Sequence, residues 1–311
     1  MRIFRLCILL PLRLCGGVSI CCAFWWISVA HLLLNFLMNT RRGRRSMLSE
    51  GNSTETSRAN FVNQWISWRF EEEHRYPSWF VRLHREYYLP LAVFTARCFL
   101  FCLGYVRAFI RGTIEDDVDI FISNHRGILD GFLLTFALGR VPIFVAGRDM
   151  LRMPFLRGVA IACDAIVVDH ENDRGRRFAS KVLKYIVEHT PYQVCMFPEG
   201  QSQFGDRVDH WIHPGCFGLT SSDRMQALGV IYLGLGEYNP SWVAYLDQLV
   251  YHLVYLAQVE SNHAGLLFLP KIVTPANATN EDIMELYRRA IARALDVPMK
   301  LRGSESYRLP H

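Results

Sequence analysis

The sequence predicts an α/β protein in which helices flank a mostly parallel sheet, preceded by an N-terminal membrane helix or helical hairpin. From residue 111 onward, short apolar runs alternate with segments of helical periodicity, which is the pattern of strands joined by crossover helices. A long uncharged segment lies ahead of them. Of the 311 residues 51% are hydrophobic, and the mean hydropathy of +0.11 is high for a soluble enzyme, which indicates membrane association.

Residues 1–45 are predicted to be a membrane anchor with a basic flank. Residues 14–40 are 27 positions without a charge, about 40 Å of helix against a bilayer core of roughly 30 Å. Gly16 and Gly17 leave room for a bent pair of helices. Four arginines at 41–45 favour a cytoplasmic side for the chain that follows. A signal peptide cleaved after Ala30 is the alternative, but the apolar run continues past that site, so we expect an uncleaved anchor.

Residues 46–110 are predicted to form a linker and interfacial helices. Polar residues dominate 46–60, as in linkers. Tryptophans mixed with charges at 61–85 suit a helix on the membrane surface and equally an amphipathic core helix. Tyr87 to Ile110 is a second apolar stretch. Its arginines make a full crossing costly, so we predict a half-buried or interfacial helix there.

Residues 111–300 are predicted to be the α/β domain, and 301–311 a C-terminal tail. One predicted helix carries apolar residues at helical spacing from Phe178 to Ile186, and the last begins at Thr279 with a cap and an acidic first turn. The predicted strands are 119–123, 141–146, 165–169, 193–197, 229–235 and 265–270. The predicted helices are 130–139, about 154–162, 175–189 and 280–296, with a packed or membrane-docked helix at 242–257.

Cysteine usage and charge limit the classes of partner. The chain has nine cysteines, many of them in apolar segments, and none has the spacing with histidine that metal sites show. We therefore expect reduced thiols and no metal. A net charge of +5 suits anionic ligands and equally a solvated surface, and we expect no nucleic-acid partner.

A histidine and an aspartate follow the first predicted strand. His125 lies just beyond the apolar run 119–123, and Asp130 opens the next predicted helix. A carboxylate on one imidazole nitrogen fixes the tautomer and stabilises the imidazolium, so this pair has the parts of a general base. No serine or cysteine nucleophile is required if the substrate brings its own hydroxyl.

A second polar stretch, Phe197 to Gly200, follows the apolar run 194–197 in the same way. Ligands bind beyond the carboxyl ends of the strands in open α/β sheets. The two stretches are therefore predicted to lie at one site.

Together these stretches resemble the motifs of the glycerolipid acyltransferase family, the lysophosphatidic acid and glycerophosphate acyltransferase group. Asn124, His125 and Asp130 match its Asn-His-x-x-x-x-Asp motif, and residues 197–200 match the start of its Phe-Pro-Glu-Gly-Thr-Arg-Ser motif. The resemblance implies a membrane-bound enzyme that moves a fatty acyl group from acyl-CoA to the free hydroxyl of a lysophospholipid. Acyl-CoA would be a co-substrate, with no separate cofactor.

The resemblance also implies roles for individual residues. His125 would be the general base and Asp130 would orient it. Backbone N–H groups near Gly127 or Gly200 are candidates to stabilise the oxyanion. The residues implied in substrate binding are Asn124, Arg126, His170, Arg174, Phe197, Pro198, Glu199 and Gly200.

Two departures from the family pattern bear on the acceptor. His170 stands where the family has an arginine, and Gln201–Gln203 replace Thr-Arg-Ser. Losing a charge-assisted contact to a phosphate costs on the order of 1.5–3 kcal/mol. A phosphodiester acceptor, such as lysophosphatidylcholine, lysophosphatidylinositol or monolysocardiolipin, is therefore expected over lysophosphatidic acid. Five arginines are candidates to replace the missing charges: Arg126, Arg174, Arg176, Arg177 and Arg207.

Two other functions remain open. One is a CoA-independent transacylase of the tafazzin kind, which shares both motifs. The other is a catalytically weak family member that binds lipid. We expect a membrane location in the endoplasmic reticulum with the catalytic domain facing the cytosol, or alternatively a mitochondrial membrane. The sequence does not predict the oligomeric state.

Overall fold

The computed structural model describes most of the α/β domain and little of the chain before it. The described residues are 84–147, 163–168, 173–200, 214–233 and 262–297, with the single positions 15, 16, 19, 160, 202, 208, 211, 256, 299, 300, 306 and 307. The predicted anchor at 14–40 and the predicted helices within 61–85, at 154–162 and at 242–257 lie almost wholly outside them. Among the described helices, none combines the length and apolarity needed to cross a bilayer.

Seven of the described strands form one sheet in the order β1-β7-β6-β2-β5-β3-β4. The pairs from β6 through β2, β5 and β3 to β4 are parallel, whereas β7 runs antiparallel to β6 and parallel to β1. The prediction of a mostly parallel sheet is confirmed. The strands are β1 (Tyr105–Arg111), β2 (Ile120–Ser123), β3 (Ile143–Gly147), β4 (Ile166–Val168), β5 (Val194–Met196), β6 (Met225–Leu233) and β7 (Asn262–Phe268), and a separate pair is β8 (Met299–Lys300) and β9 (Ser306–Tyr307).

Helices cover both faces of this sheet. The helices are α1 (Leu89–Cys102), α2 (Asp130–Leu138), α3 (Asp173–His189) and α4 (Asn280–Leu295), with a π-helical turn at His84–Tyr88 and 3-10 turns at Pro214–Gly218 and Ser222–Arg224. On β2 the side chains alternate. Ile120 and Ile122 pack in the cluster that holds α3 and α4, and Phe121 packs in the cluster that holds α1 and α2. All three are fully buried, so β2 is the centre of the core.

The predicted helix at Tyr87–Ile110 is correct over its first part and wrong over its last. After α1, Gly104 has φ of 84° and its N–H donates to the carbonyl of Phe101, which ends the helix. The chain then enters β1, an edge strand paired with β7. A mainly apolar stretch does not distinguish helix from strand, which is why the sequence did not place this boundary.

The other predicted elements are found with small shifts. β6 and β7 begin several residues earlier than the predicted strands 229–235 and 265–270. The predicted cap of α4 is confirmed: the Thr279 side chain accepts from the Asp282 N–H at 3.2 Å, and Asp282 accepts from the Thr279 N–H at 2.9 Å. These reciprocal bonds satisfy two backbone donors at the start of the helix.

Candidate active site

The loop between β2 and α2 brings His125 against Asp130. The imidazole Nδ1 lies 2.7 Å from the Asp130 Oδ2, and Asp130 is fully buried as the first residue of α2. The side chain of His125 is 24% exposed. Since an ionised carboxylate only accepts hydrogen bonds, Nδ1 carries the proton. The Nε2 lone pair is then left to accept a proton from a substrate.

Donors on every side hold the Asp130 carboxylate. Oδ2 also accepts the N–H groups of Arg126 at 2.6 Å and Gly127 at 3.1 Å. Oδ1 accepts the Tyr232 hydroxyl at 2.6 Å. A buried carboxylate is costly unless it is hydrogen-bonded, and the N-terminus of α2 adds a favourable dipole. The carboxylate therefore keeps one fixed orientation toward His125.

Asn124 holds the start of the same loop on β6. Its side-chain amide donates to the Val230 carbonyl at 2.9 Å, and its carbonyl accepts the Val230 N–H at 2.7 Å. The residue is 1% exposed. The structure therefore places Asn124 within the sheet, where it continues the pairing of β2 with β6, although we expected it to contact substrate.

The turn Phe197–Gly200 lies beside this loop because β5 pairs in parallel with β2. The Gly200 N–H donates to the Phe197 carbonyl at 3.0 Å, and Gly200 has φ of 73°. This closes a four-residue turn with proline at its second position, a favoured placement. The side chain of Phe197 stacks on the His125 imidazole, with ring centroids 4.4 Å apart and planes at 25°.

Glu199 ties the two motifs together. Its Oε2 accepts the backbone N–H of His125 at 3.2 Å, and its Oε1 accepts the Trp211 indole N–H at 3.4 Å. Glu199 is 3% exposed and Trp211 is 1% exposed. Glu199 therefore fixes the loop, since its carboxylate joins the turn to the backbone of His125.

For three of the other predicted site residues, the structure describes fewer contacts or none. Arg126 is buried next to His125. Arg174 lies in the first turn of α3, and its side chain is outside the described part of the structure. His170 also lies outside the described residues.

The N–H groups of Gly127 and Gly200 themselves already have acceptors. The Gly127 N–H donates to Asp130, and the Gly200 N–H donates to Phe197. In this conformation neither of these two N–H groups is open to an oxyanion, and a donor from a neighbouring residue of either loop stays a prediction. Within the described residues, no group of three or more His, Cys, Asp or Glu side chains is arranged to hold a metal ion.

Two residues of the site went unnoticed in the sequence. Tyr232 comes from β6, 102 residues after Asp130, and Trp211 follows Glu199 by 12 residues. Neither belongs to the two motifs that predicted the site. The one available signal was that each is an aromatic residue with a polar atom, which needs a partner when buried.

The site and the sheet define an α/β domain with a His–Asp pair at the carboxyl edge of its central strands. Residues 114–225, which contain both motif loops, match the Acyltransferase family model. This stretch is therefore similar to acyltransferase domains over about a third of the chain.

One solved structure shows a weak overall similarity. The 1-acyl-sn-glycerophosphate (LPA) acyltransferase PlsC from Thermotoga maritima aligns with a TM-score of 0.44 and 13% sequence identity, covering 91% of this chain and 96% of that chain. A comparison with curated proteins gave no match.

Proposed function

We propose that this protein transfers a fatty acyl group from acyl-CoA to the free hydroxyl of a lysophospholipid, with His125 as the general base. The acyltransferase domain supports acyl transfer to a glycerolipid. The observation that carries the finer proposal is the 2.7 Å contact between His125 Nδ1 and a buried Asp130, which leaves Nε2 as the basic atom.

The chemistry balances with these groups alone. Nε2 of His125 takes the proton of the acceptor hydroxyl while its oxygen attacks the thioester carbonyl. The tetrahedral intermediate collapses, the carbon–sulfur bond breaks, and the imidazolium returns its proton to the leaving thiolate. Asp130 stabilises the transient imidazolium, and one positioned base contributes about 10²- to 10⁴-fold. No metal or further cofactor takes part in this scheme.

Substrate contacts are proposed for the groups at the edge of the site. Phe197 covers one face of the imidazole, and Glu199 keeps the His125 backbone at a fixed distance from the turn. Arg126, Arg174 and His170 are the proposed contacts to phosphate. Because Gln201–Gln203 lack the arginine of the family motif, a phosphodiester lysophospholipid is the favoured acceptor.

We propose that the enzyme works on a membrane, in the endoplasmic reticulum facing the cytosol or in a mitochondrial membrane. One face of α1 supports the membrane as partner. Phe94 (63% exposed) and Phe101 (65%) lie one heptad apart on its outer side, and Tyr87 (64%) precedes them by another seven residues in the π-helical turn before α1. A lipid surface is a suitable environment for such an aromatic stripe.

Labelled acyl transfer in membranes tests the proposal. Wild type, His125→Ala and His189→Ala are incubated with a panel of lysophospholipids and either acyl-CoA or a diacyl phospholipid as donor. His189 is a matched control, since it is exposed at the carboxyl end of α3 and donates to the Tyr185 carbonyl of its own helix. We expect product from acyl-CoA in wild type and His189→Ala, and none in His125→Ala.

The other outcomes separate the competing functions. His125-dependent product from the diacyl phospholipid alone identifies a transacylase. Lipid binding without product from either donor identifies a binding protein and overturns the enzymatic proposal.

A further inference from the structure

Tyr232 bonds the Asp130 carboxylate but takes no part in the proton transfer proposed above. It lies near the carboxyl end of β6, it is 3% exposed, and its hydroxyl donates to the Asp130 Oδ1 at 2.6 Å. The second carboxylate oxygen, Oδ2, faces His125. Tyr232 therefore contacts the carboxylate on the side away from the base.

The two oxygens of Asp130 have donors from different parts of the fold. Those at Oδ2 come from His125, Arg126 and Gly127, which belong to the loop itself. The donor at Oδ1 comes from the sheet, 102 residues away in the chain. Loop donors move with the loop, so the Tyr232 hydroxyl is the bond that fixes the carboxylate relative to the sheet.

β6 holds the loop at both ends. Two residues before Tyr232, the backbone of Val230 pairs with the side chain of Asn124 at the start of the loop. Tyr232 itself bonds Asp130 at the end of the loop. Val230 and Tyr232 belong to the same strand. The loop that carries His125 is therefore bonded to β6 on both sides of the histidine, through Asn124 and through Asp130.

The charges around this contact keep Tyr232 a donor. Burial, followed by the negative charge of Asp130, raises the pKa of Tyr232 well above its usual value, while Arg126 acts in the opposite direction. Burial also raises the pKa of the Cys195 thiol on β5, so that group stays neutral. Among the described residues, the other titratable neighbours come from three elements. They are Tyr105 on β1, with its ring 6.1 Å from that of Tyr232, Glu199 at the His125 backbone, and His263 on β7, which pairs with Leu233.

We propose that Tyr232 is a positioning residue that fixes the Asp130 carboxylate and sets how strongly it stabilises protonated His125. The proposal rests on the proposed function of His125 as the base. A donor at Oδ1 withdraws negative charge from the carboxylate. Removing it leaves more negative potential at the imidazole, which favours the protonated and inactive form. The acid limb of the pH–rate profile then moves to higher pH.

Tyr232→Phe in the full-length protein is the test, with Tyr287→Phe as a matched control. Tyr287 is also a buried tyrosine, but its hydroxyl donates to the carbonyls of Ser222 and Met225 at 3.2 and 3.1 Å, away from Asp130. We expect Tyr232→Phe to lower kcat about tenfold with KM unchanged, because the carboxylate no longer holds the imidazole in one orientation. The greater negative charge at Oδ2 should move the acid limb up by about half a pH unit or more. Tyr287→Phe leaves both the rate and the limb as in wild type.

A second variant keeps the proposal testable if Tyr232→Phe does not fold. Incorporating 3,5-difluorotyrosine at position 232 keeps the shape and strengthens the donor, so it shifts the acid limb to lower pH. An unmoved limb in a folded Tyr232→Phe or in the fluorinated protein overturns the proposal.

A measurement that needs no enzymatic activity tests the role of Tyr232 independently of the proposed function. Histidine-selective NMR titration, with the His125 signal assigned by its loss in His125→Ala, reports the pH midpoint of that ring directly. If wild type forms no His125-dependent product, the proposed function fails. The midpoints of the Tyr232 variants then still decide whether Tyr232 acts on His125.

Discussion

Replacing Asp130 with asparagine separates the charge of the carboxylate from its geometry. Three donors converge on Oδ2 and one hydroxyl meets Oδ1. The asparagine carbonyl takes the Oδ2 position, where it accepts all three, and its NH₂ faces the Tyr232 oxygen, which also accepts hydrogen bonds. Asp130→Asn therefore keeps the tautomer of His125, and it loses the negative charge together with the acceptor of the Tyr232 O–H.

The size of the loss follows from the distance. With Nδ1 and Oδ2 2.7 Å apart, the centres of the two delocalised charges lie about 4 Å apart. At an effective dielectric constant of about 20 their attraction is about 4 kcal/mol, roughly a 10³-fold change in rate. Since the His125 side chain is 24% exposed, solvent offsets part of this. We expect kcat to fall about 10²- to 10³-fold.

The assay compares kcat at saturating substrates for wild type, Asp130→Asn and Asp119→Asn, with thermal unfolding of each protein. Asp119 is a matched control at the opposite end of β2, where its carboxylate accepts Thr220 at 3.0 Å and Arg224 at 2.5 Å. Its asparagine variant keeps full activity. The acid limb of Asp130→Asn moves to lower pH, opposite in sign to Tyr232→Phe. A loss below tenfold in folded Asp130→Asn, or an equal loss in Asp119→Asn, refutes the reasoning.

Three further predictions concern the scaffold. Asn124→Ala leaves two backbone groups of β6 unpaired in the core, so urea denaturation should show a loss of about 2–4 kcal/mol in the free energy of unfolding; an unchanged midpoint contradicts the contact. Gly112→Ala places a Cβ 1.9 Å from the Phe268 carbonyl oxygen at φ of 83°, whereas Gly139→Ala, at φ of 63°, meets nothing within 4 Å. We expect a cost of about 3 kcal/mol or more for the first and about 1 kcal/mol for the second, and equal costs would exclude the clash. Burial raises the pKa of Cys216 from 9.0 to about 12, so its stabilisation is complete below pH 9 and is lost as pH rises toward 12. Cys216→Ala should therefore lose less free energy of unfolding than wild type between pH 9 and 12. An equal loss in the two proteins would contradict the raised pKa of Cys216.

The motif residues could be located from sequence because their neighbours are unambiguous. Ile120–Ile122 and Val194–Met196 are short apolar runs bounded by polar residues, and each leads directly into a motif loop. Their parallel pairing then places His125 beside Phe197 without further information.

Contacts from strands that lie far along the chain could not be located in this way. Tyr232 reaches Asp130 only because β6 pairs with β2 in a register that sets Leu228 against Ser123. A one-residue slip would turn the tyrosine to the other face of the sheet. Alternation along β6 predicts which residues share a face, but it does not predict the strand they meet.

The central claim is that His125 removes the proton of the acceptor hydroxyl. The most direct measurement is the rate at which free CoA thiol appears from acyl-CoA when lysophospholipid is added to wild type, His125→Ala or His189→Ala. Acceptor-dependent release in wild type and His189→Ala, reduced at least 10²-fold in His125→Ala, is the predicted result. Equal acceptor-dependent release in a folded His125→Ala would contradict the account.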